Sequence, residues 1–405
     1  MSTLCYNKVL FLCNGYAENT ITARILAELN TMHSSADVAV LPLVGDGREF
    51  ASLDVQVLGT RERMPSHGFV SGNLTYVLRD LGAGWLKKYW DNGRILNREG
   101  HQGALVVCVG DVFLVLTAAL FLRGTRVLFA ATAKSDYISE HWAVEKFLMR
   151  RYCSEVFARD ANTAYSLVRS GVPATYVGNV LMDCLHFTGE TFGITEGIPV
   201  IGILPGSKPE AYRHLETILG AVTQIHRHEK GRACFLLALA SSLDIRNVLS
   251  CAPPRENWEL VPSSSPPGES GVQFRLISQE GASVLVAVGK FADVLSCSRV
   301  VIGTAGMANE QAVGLGRPVV TFPGEGPQIT TRFLKAQQRL LGESLLVVEK
   351  SPDALAGQVI SIIHNPLQLE RIKQAGTKRM GRGGAAFHIA SAIHRTLTET
   401  ANAFP

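Results

Sequence analysis

The chain has 405 residues, of which 46% are hydrophobic and 18% charged, and its net charge is +4. This composition excludes a disordered chain and indicates a globular protein of two or three domains. Because no five basic residues follow one another, no nucleic-acid partner is expected, whereas an anionic substrate or membrane surface is compatible with the charge.

The first half of the chain alternates short β-branched runs with amphipathic segments, the pattern of successive βαβ units. Such units build a parallel sheet that is covered by helices on both faces. The expected strands are residues 8–13, 37–44, 104–109, 126–130, 155–158 and 175–177, and the expected helices are residues 19–32, 112–122 and 162–169.

Residues 104–122 are almost wholly apolar and are long enough to resemble a membrane span. However, Asp111 lies near the middle of this segment, and a carboxylate there costs about 2.5–3.5 kcal/mol on insertion scales. We therefore predict a buried strand, a tight turn at Gly110 and Asp111, and a helix that begins at Val112.

Residues 71–98 combine aromatic and leucine residues with five basic residues at spacings that suit a helix. Such a segment suits the surface of a membrane, where aromatic and basic side chains are enriched. A helix that packs against the first sheet is the alternative interpretation, and the pattern is compatible with both.

The βαβ pattern begins again at residue 199, with strands expected at residues 199–204, 234–239, 299–302, 318–322 and 345–348. The Pro- and Ser-rich residues 261–271 are expected to form a surface loop, and residues 351–400 three helices. We place the domain boundary near residues 182–197. The predicted organisation is an N-terminal domain over residues 1–185, a C-terminal domain over 186–375, and a final segment, 376–405, that packs back on the first domain.

The predicted fold class is therefore α/β, with two doubly wound Rossmann-like domains facing a central cleft, where ligands of such sheets bind. The eight cysteines form no C-x-x-C pair, and most lie in apolar runs, so we interpret them as reduced core residues of a cytoplasmic protein. No histidine spacing typical of a metal site occurs, and neither a metal nor a cofactor is expected.

One strand-to-helix turn, at the start of residues 303–323, has the small residues that allow backbone N–H groups to approach a ligand closely. The helix N-terminus that follows is partly positive and suits a diphosphate. Either Glu310 or Gln311, about one turn further on, is a candidate for binding a ribose. The residues expected to surround the diphosphate in this turn are Gly303, Thr304, Ala305 and Gly306.

This segment resembles the donor-binding region of nucleotide-sugar enzymes with the GT-B fold. Residues 310–318 (EQAVGLGRP) resemble the E-E-A-P-S-L-G-K-P pattern of UDP-GlcNAc 2-epimerases, and the G-T-A sequence at Gly303 is similar to that of lipid-A-disaccharide synthases. Two further segments resemble the synthases in the same order along the chain. Residues 204–208 (LPGSK) resemble L-P-G-S-R, and residues 176–183 (YVGNVLMD) resemble F-V-G-H-x-L-x-D.

The resemblance implies that the donor contacts Gly206, Ser207 and Lys208, and that Gln328 lies near the sugar ring. Lys208 keeps the charge of the arginine that it replaces but loses the bidentate geometry. Asp111 follows its strand at the place of the synthases' proposed catalytic aspartate, and a carboxylate there can act as a base or cap the next helix.

The loop after the first strand lies where the synthases carry their S-G-E-x-S-G-D loop, so Asn14 and Gly15 are expected near the acceptor. Glu18 in this loop is the alternative candidate for the base, and a helix cap at Asn19 or Thr20 is the simpler explanation for the loop.

The resemblance implies an inverting glycosyltransferase that moves a GlcNAc-type sugar from a UDP donor to a lipid-linked or glycolipid acceptor. It also implies a cytoplasmic enzyme that transiently contacts the inner face of the membrane. Two alternatives stay open at this point: a UDP-GlcNAc 2-epimerase-like isomerase, which residues 310–318 favour, and a non-catalytic nucleotide-sugar binding protein, which the departures at Lys208 and Asn19 favour.

Overall fold

A computed structural model describes residues 8–32, 36–59, 85–100, 103–122, 124–263 and 271–401. The chain divides into two compact units. Unit 1 comprises Met1–Cys184 together with Gly383–Pro405, and unit 2 comprises Leu185–Arg382. Half of the predicted basic and aromatic segment 71–98, namely residues 71–84, lies outside the described residues.

The described residues of each unit form one β-sheet. The strands of unit 1 are β1 (Lys8–Cys13), β2 (Asp37–Pro42), β3 (Gln56–Val57), β4 (Ala104–Val109), β5 (Val127–Ala131), β6 (Cys153–Ala158) and β7 (Ala174–Thr175). The strands of unit 2 are β8 (Val200–Leu204), β9 (Cys234–Leu239), β10 (Glu259–Pro262), β11 (Val272–Ile277), β12 (Ser283–Val288), β13 (Val300–Gly303), β14 (Val319–Thr321) and β15 (Leu345–Val347).

Helices connect most of these strands. They are α1 (Tyr16–Thr31), α2 (Trp85–Gly100), α3 (Val112–Phe121), α4 (Ala143–Tyr152), α5 (Ala161–Arg169), α6 (Val180–Asp183), α7 (Tyr212–His228), α8 (Ile245–Ser250), α9 (Phe291–Cys297), α10 (Gly306–Gly314), α11 (Thr331–Leu341), α12 (Pro352–Ile363), α13 (Pro366–Met380) and α14 (Ala385–Ala401). Short 3₁₀ turns lie at Arg48–Phe50, Pro209–Ala211, Pro254–Glu256 and Gly342–Ser344.

The sheet of unit 1 has the order β3-β2-β1-β4-β5-β6-β7, and all its strands are parallel. Alternate residues of one strand enter two different cores, because successive side chains point to opposite faces of a sheet. Leu10 and Leu12 pack under α2–α5, whereas Val9 and Phe11 pack with α1 and α14. The two covered faces explain why the strands read as unbroken apolar runs.

The final helix α14 belongs to unit 1 and packs against α1. Its N-terminus is held by Asp183, whose carboxylate accepts hydrogen bonds from the backbone N–H groups of Gly384 and Ala386. The chain returns to unit 1 at Gly383, whereas the predicted start of this final segment is residue 376. The difference arises because α13 runs unbroken to Met380 and packs on α10 in unit 2.

The sheet of unit 2 has the order β10-β11-β12-β9-β8-β13-β14-β15. The five strands predicted from the sequence are present, but the antiparallel edge β10-β11-β12 was not predicted. Strands β10 (ELVP) and β11 (VQFRLI) are half exposed, and polar residues interrupt the apolar ones in β11, so they lack the long apolar run that marks a buried parallel strand. Strand β12 does carry such a run, SVLVAV, and was missed. The sheet is consequently mixed at this edge.

The structure confirms the strand, turn and helix predicted for residues 104–122, which form β4 and α3. Among the described residues, no helix combines the length and apolar character needed to cross a membrane. Helix α1 begins at Tyr16, three residues before the predicted start. Asn19 is therefore no cap but a buried residue inside the helix, and its Nδ2 donates to the Val44 carbonyl at 3.1 Å.

Candidate functional site

The predicted donor residues of unit 2 lie where two neighbouring parallel strands end. Gly303 at the end of β13 pairs with Leu204 at the end of β8, so the loops that follow emerge side by side at the carboxyl edge of the sheet. Thr304 joins them, because its N–H donates to the Leu204 carbonyl at 2.9 Å and its Oγ1 to the Pro205 carbonyl at 3.0 Å. This edge is where ligands bind in open α/β sheets.

Glycines shape both loops. Gly206 has φ +103°, a conformation that side-chain-bearing residues rarely adopt. A Cβ atom at Gly303 would overlap the Asn309 side chain. Both positions therefore require glycine, and the backbone there can approach a ligand closely.

Helix α10 begins directly beside these loops. Its N-cap is Ala305, which has no side-chain acceptor for the first N–H groups, so these donors and the positive end of the helix dipole are available to an anion. The buried amide of Gln337 supports this turn from behind by donating to the Gly306 carbonyl at 2.8 Å. On the other side, a Cβ at Gly306 would lie 3.0 Å from Gln328 Oε1.

These loops and the helix terminus surround a pocket of about 400 Å³, within the usual range for small-molecule sites. Its further walls come from the segment Glu325–Ile329 and from residues that follow β9. Of the predicted donor residues, the structure brings Gly206, Ser207, Lys208, Thr304, Ala305, Gly306, Gln311 and Gln328 to the pocket wall.

Gly303 and Glu310 are the two predicted donor residues that do not line the pocket. Gly303 lies beneath it as the last residue of β13. Successive residues of a helix point about 100° apart, and in α10 it is Gln311, only 8% exposed, that lies on the pocket side. The geometry thus favours Gln311 over Glu310 as a ligand-binding residue.

His214 on α7 also lines the pocket, and no sequence pattern predicted this. Its side chain is 2% exposed, and among the described residues neither ring nitrogen has a hydrogen-bond partner. The ring meets Phe322 edge to face at 6.0 Å. Burial, and then the positive charge of Lys350, lower the pKa of His214 from 6.5 to about 4. At neutral pH it is therefore an uncharged imidazole with one donor and one acceptor for a ligand.

The predicted residues of unit 1 lie together at the carboxyl ends of β1 and β4, which are neighbours in the sheet. Asp111 caps α3 by accepting a hydrogen bond from the Phe113 N–H at 2.9 Å. The residue is exposed overall, but its carboxyl group is partly desolvated. This desolvation raises its pKa, although hydrogen bonds from Asn14 and the Phe113 amide oppose the shift. Asp111 is thus a helix cap whose carboxylate binds a proton more readily than an ordinary aspartate.

Asn14 and Gly15 form the turn before α1, and Glu18 lies in the first turn of that helix. The Glu18 carboxylate folds back over Gly15, where a Cβ atom would overlap it. A carboxylate there is stabilised by the helix N-terminus, so the structure gives Glu18 a local role in starting α1.

The chain was compared with known proteins, and no family model matches it. The lipid-A-disaccharide synthase of Solibacter usitatus (strain Ellin6076) is 27% identical over 161 residues, which cover 38% of this chain and 35% of that protein. The lipid-A-disaccharide synthase of Geobacter sulfurreducens (strain ATCC 51573 / DSM 12127 / PCA) is 23% identical over 252 residues, which cover 56% of this chain and 59% of that protein. The chain thus spans between about a third and three fifths of the length of these relatives.

Solved structures align over almost the whole chain. CalG4, the calicheamicin glycosyltransferase, has a TM-score of 0.59 at 13% identity, over 97% of this chain and 98% of that one. The UDP-GlcNAc 2-epimerase from Neisseria meningitidis, bound to UDP-GlcNAc, has a TM-score of 0.54 at 15% identity, over 97% of this chain and 100% of that one. These likenesses confirm the predicted GT-B fold with its two Rossmann-like domains.

The low pKa of His214 predicts a specific loss of stability in mild acid. The unfolded chain protonates this imidazole near pH 6.5 and the folded chain only near pH 4. The contribution of the neutral imidazole to the free energy of unfolding is therefore complete above pH 6.5 and is lost as the pH falls towards 4. From pH 7 to pH 5, wild type should lose about 2 kcal/mol more unfolding free energy than His214→Leu.

Urea denaturation at both pH values measures this difference. His388→Leu, at an exposed histidine of α14, is the matched control and should retain the wild-type pH dependence. Equal pH dependence in wild type and His214→Leu would show that the imidazole is not held neutral by the fold.

Proposed function

We propose that this chain, a GT-B-fold protein related to lipid-A-disaccharide synthases, is an inverting glycosyltransferase that moves a GlcNAc-type sugar from a UDP donor to a lipid-linked acceptor. The observation that carries the proposal is the pocket of unit 2, in which two glycine loops and the N-terminus of α10 converge. Such an arrangement suits a nucleoside diphosphate.

In this proposal the diphosphate binds between the Gly206–Ser207 turn and the start of α10. Backbone N–H groups neutralise part of its charge, and Lys208 at the pocket wall supplies a full positive charge. Gln311 binds the ribose, and Gln328 donates to or accepts from hydroxyls of the sugar. No metal ion is required in this scheme, because the helix terminus and Lys208 offset the charge of the leaving UDP.

The transfer is a single displacement. The acceptor hydroxyl oxygen attacks C1 of the sugar on the face opposite the phosphate. The bond from C1 to the phosphate oxygen breaks, and UDP leaves with that electron pair. The configuration at C1 is therefore inverted. We assign the removal of the hydroxyl proton to Asp111, whose raised pKa suits a general base. Glu18 is the second candidate for this role, but its carboxylate lies over Gly15 at the start of its own helix.

A lipid-linked acceptor is supported by an exposed aromatic face on unit 1, which we define as Trp90, Leu120, Trp142, Val144 and Phe147. These side chains are between 53% and 69% exposed, and they lie on α2, α3 and the N-terminal part of α4, helices that pack in succession. Exposed aromatic residues beside basic ones suit a membrane interface.

Basic residues accompany this aromatic face. Lys134 lies over the Trp142 ring at 5.0 Å, and α4 ends in exposed Arg150 and Arg151. In the proposal the enzyme therefore rests transiently on an anionic membrane surface on the cytoplasmic side.

A UDP-sugar 2-epimerase is the second candidate, and it is favoured by the resemblance of residues 310–318 and by the epimerase among the structural neighbours. An epimerase interconverts sugars without an acceptor, whereas a transferase releases UDP only when an acceptor is present. The test is to incubate the purified chain with candidate UDP-sugars, with and without a membrane lipid extract.

UDP release that depends on the extract supports transfer. Interconversion of UDP-sugars without the extract supports the epimerase. Binding of UDP-sugars without either reaction would leave a non-catalytic binding protein and contradict the proposed enzyme.

The Asp111→Asn substitution should separate the base from the helix cap. Asparagine caps a helix as well as aspartate but cannot take a proton, so turnover should fall by roughly 10²–10⁴-fold while affinity for UDP and the thermal midpoint stay unchanged. Asp244→Asn, at the N-cap of α8, is the matched control and should keep full turnover. Equal turnover in Asp111→Asn and wild type would exclude Asp111 as the base.

The Gln311→Ala substitution should weaken UDP binding by about 5- to 30-fold, the effect of losing 1–2 kcal/mol, in isothermal titration calorimetry. Glu310→Ala is the control on the neighbouring position, which does not line the pocket, and should leave the affinity within about twofold. Weaker binding in Glu310→Ala alone would transfer the ribose contact to Glu310. A thermal midpoint close to wild type excludes misfolding of either variant.

The exposed aromatic face predicts binding to anionic vesicles. Removing two large apolar side chains from a membrane contact costs several kcal/mol, so the double variant Trp142→Asp/Phe147→Asp should co-sediment with phosphatidylglycerol vesicles at least about tenfold less than wild type. Leu367→Asp, at a leucine of unit 2 that is 85% exposed, should bind vesicles as wild type does. Equal loss in both variants would contradict a specific membrane face on unit 1.

A further inference from the structure

Two long helices of unit 2 end side by side away from the residues that line the pocket. Helices α7 and α12 pack along each other. His228 is the last residue of α7, Glu229 is its C-cap, and His364 is the C-cap of α12. His364 lies 135 positions after Glu229 in the chain, so the fold brings the cluster together.

Their side chains converge on one point. Glu229 Oε1 lies 3.0 Å from His228 Nδ1 and 2.8 Å from His364 Nε2. One potential ligand atom from each residue lies within 4.8 Å of the others. The Glu229 side chain is 10% accessible and both histidine side chains are 56% accessible, so the carboxylate forms a largely covered floor and the imidazoles form walls that solvent can reach.

The electrostatic environment favours a cation at this point. The C-termini of α7 and α12 both lie at this cluster, and helix C-termini carry partial negative charge. Glu229 adds a carboxylate between these two helix ends.

We propose that His228, Glu229 and His364 form a binding site for a divalent transition-metal ion of the zinc class. Two imidazole nitrogens and one carboxylate oxygen are a ligand set that Zn²⁺ accepts, with water filling the remaining position. Mg²⁺ and Ca²⁺ prefer sets made wholly of oxygen, so they are not expected to bind. The imidazoles turn from Glu229 toward the ion, and the carboxylate coordinates it in place of the hydrogen bonds.

The site is structural in this proposal. None of its three residues lines the donor pocket, and an ion held there ties the end of α7 to the end of α12. Because the ion binds the folded chain preferentially, it should raise the thermal stability in proportion to its concentration over its Kd.

The test uses the full-length chain without a histidine tag, stripped with EDTA and then titrated with ZnCl₂ by calorimetry. We expect saturable binding of one ion per chain, a higher thermal midpoint with zinc than without it, and no heat with MgCl₂. His364→Ala and, as the more conservative change, Glu229→Gln should each weaken zinc binding by roughly 10- to 100-fold. His388→Ala, at an exposed histidine outside the cluster, should bind zinc as wild type does.

Cobalt binding identifies the ligand type. Co²⁺ at two imidazoles and a carboxylate should lack the sulfur-to-cobalt charge-transfer band that a cysteine site would show. Absence of zinc binding, equal binding by wild type and His364→Ala, or a sulfur band that survives in the variants would each overturn the proposal. UDP affinity should be the same with and without zinc, so this result is independent of the proposed transferase function.

Discussion

The side-by-side exit of two loops from the ends of β8 and β13 is the constraint on which the candidate site of unit 2 depends. Thr304 holds them together through one backbone and one side-chain hydrogen bond. If the loops separated, the start of α10 would move away from the Gly206 turn, and the donors that suit a diphosphate would no longer converge. Gln337, buried behind the turn and bonded to Gly306, restricts the same movement from the other side.

Both units place their polar groups at the carboxyl ends of neighbouring parallel strands, and they do so with different chemistry. Unit 2 offers backbone N–H groups, a helix terminus and a lysine, which suit a phosphate group. Unit 1 offers a carboxylate whose pKa is raised, which suits proton removal. Asp111 caps α3 through Oδ1, and in the proposed function the same residue would also remove the proton.

Much of this arrangement follows from local sequence patterns. The apolar runs of β1, β4, β8 and β13 and the glycines at or just after their ends identify both sheets and the pocket loops. A buried parallel strand leaves an apolar signature, and a positive φ such as that of Gly206 favours glycine. The residues of α10 were harder to assign. Glu310 and Gln311 are adjacent, so only the rotation of the helix decides that Gln311 reaches the pocket.

Other features have no local signature. His214 looks like any histidine of an amphipathic helix. Its burial, with no hydrogen-bond partner in the described part of the chain, is visible only once Phe322 and the segment after it fold over it. The cluster of His228, Glu229 and His364 likewise needs two helices to end together. The edge strands β10 and β11 were missed because half of their residues face solvent.

The most direct test of the account is whether unit 2 binds UDP at the Gly206 turn. Calorimetry should show UDP binding to the wild-type chain, and Gly206→Val should weaken it by at least about tenfold, or 1.4 kcal/mol, because valine cannot adopt φ +103°. Gly197→Val, at a glycine with φ +86° and open space around it, should bind UDP as wild type does. Absence of UDP binding to wild type, or equal binding by Gly206→Val, would contradict the assignment of this pocket to a nucleotide-sugar donor.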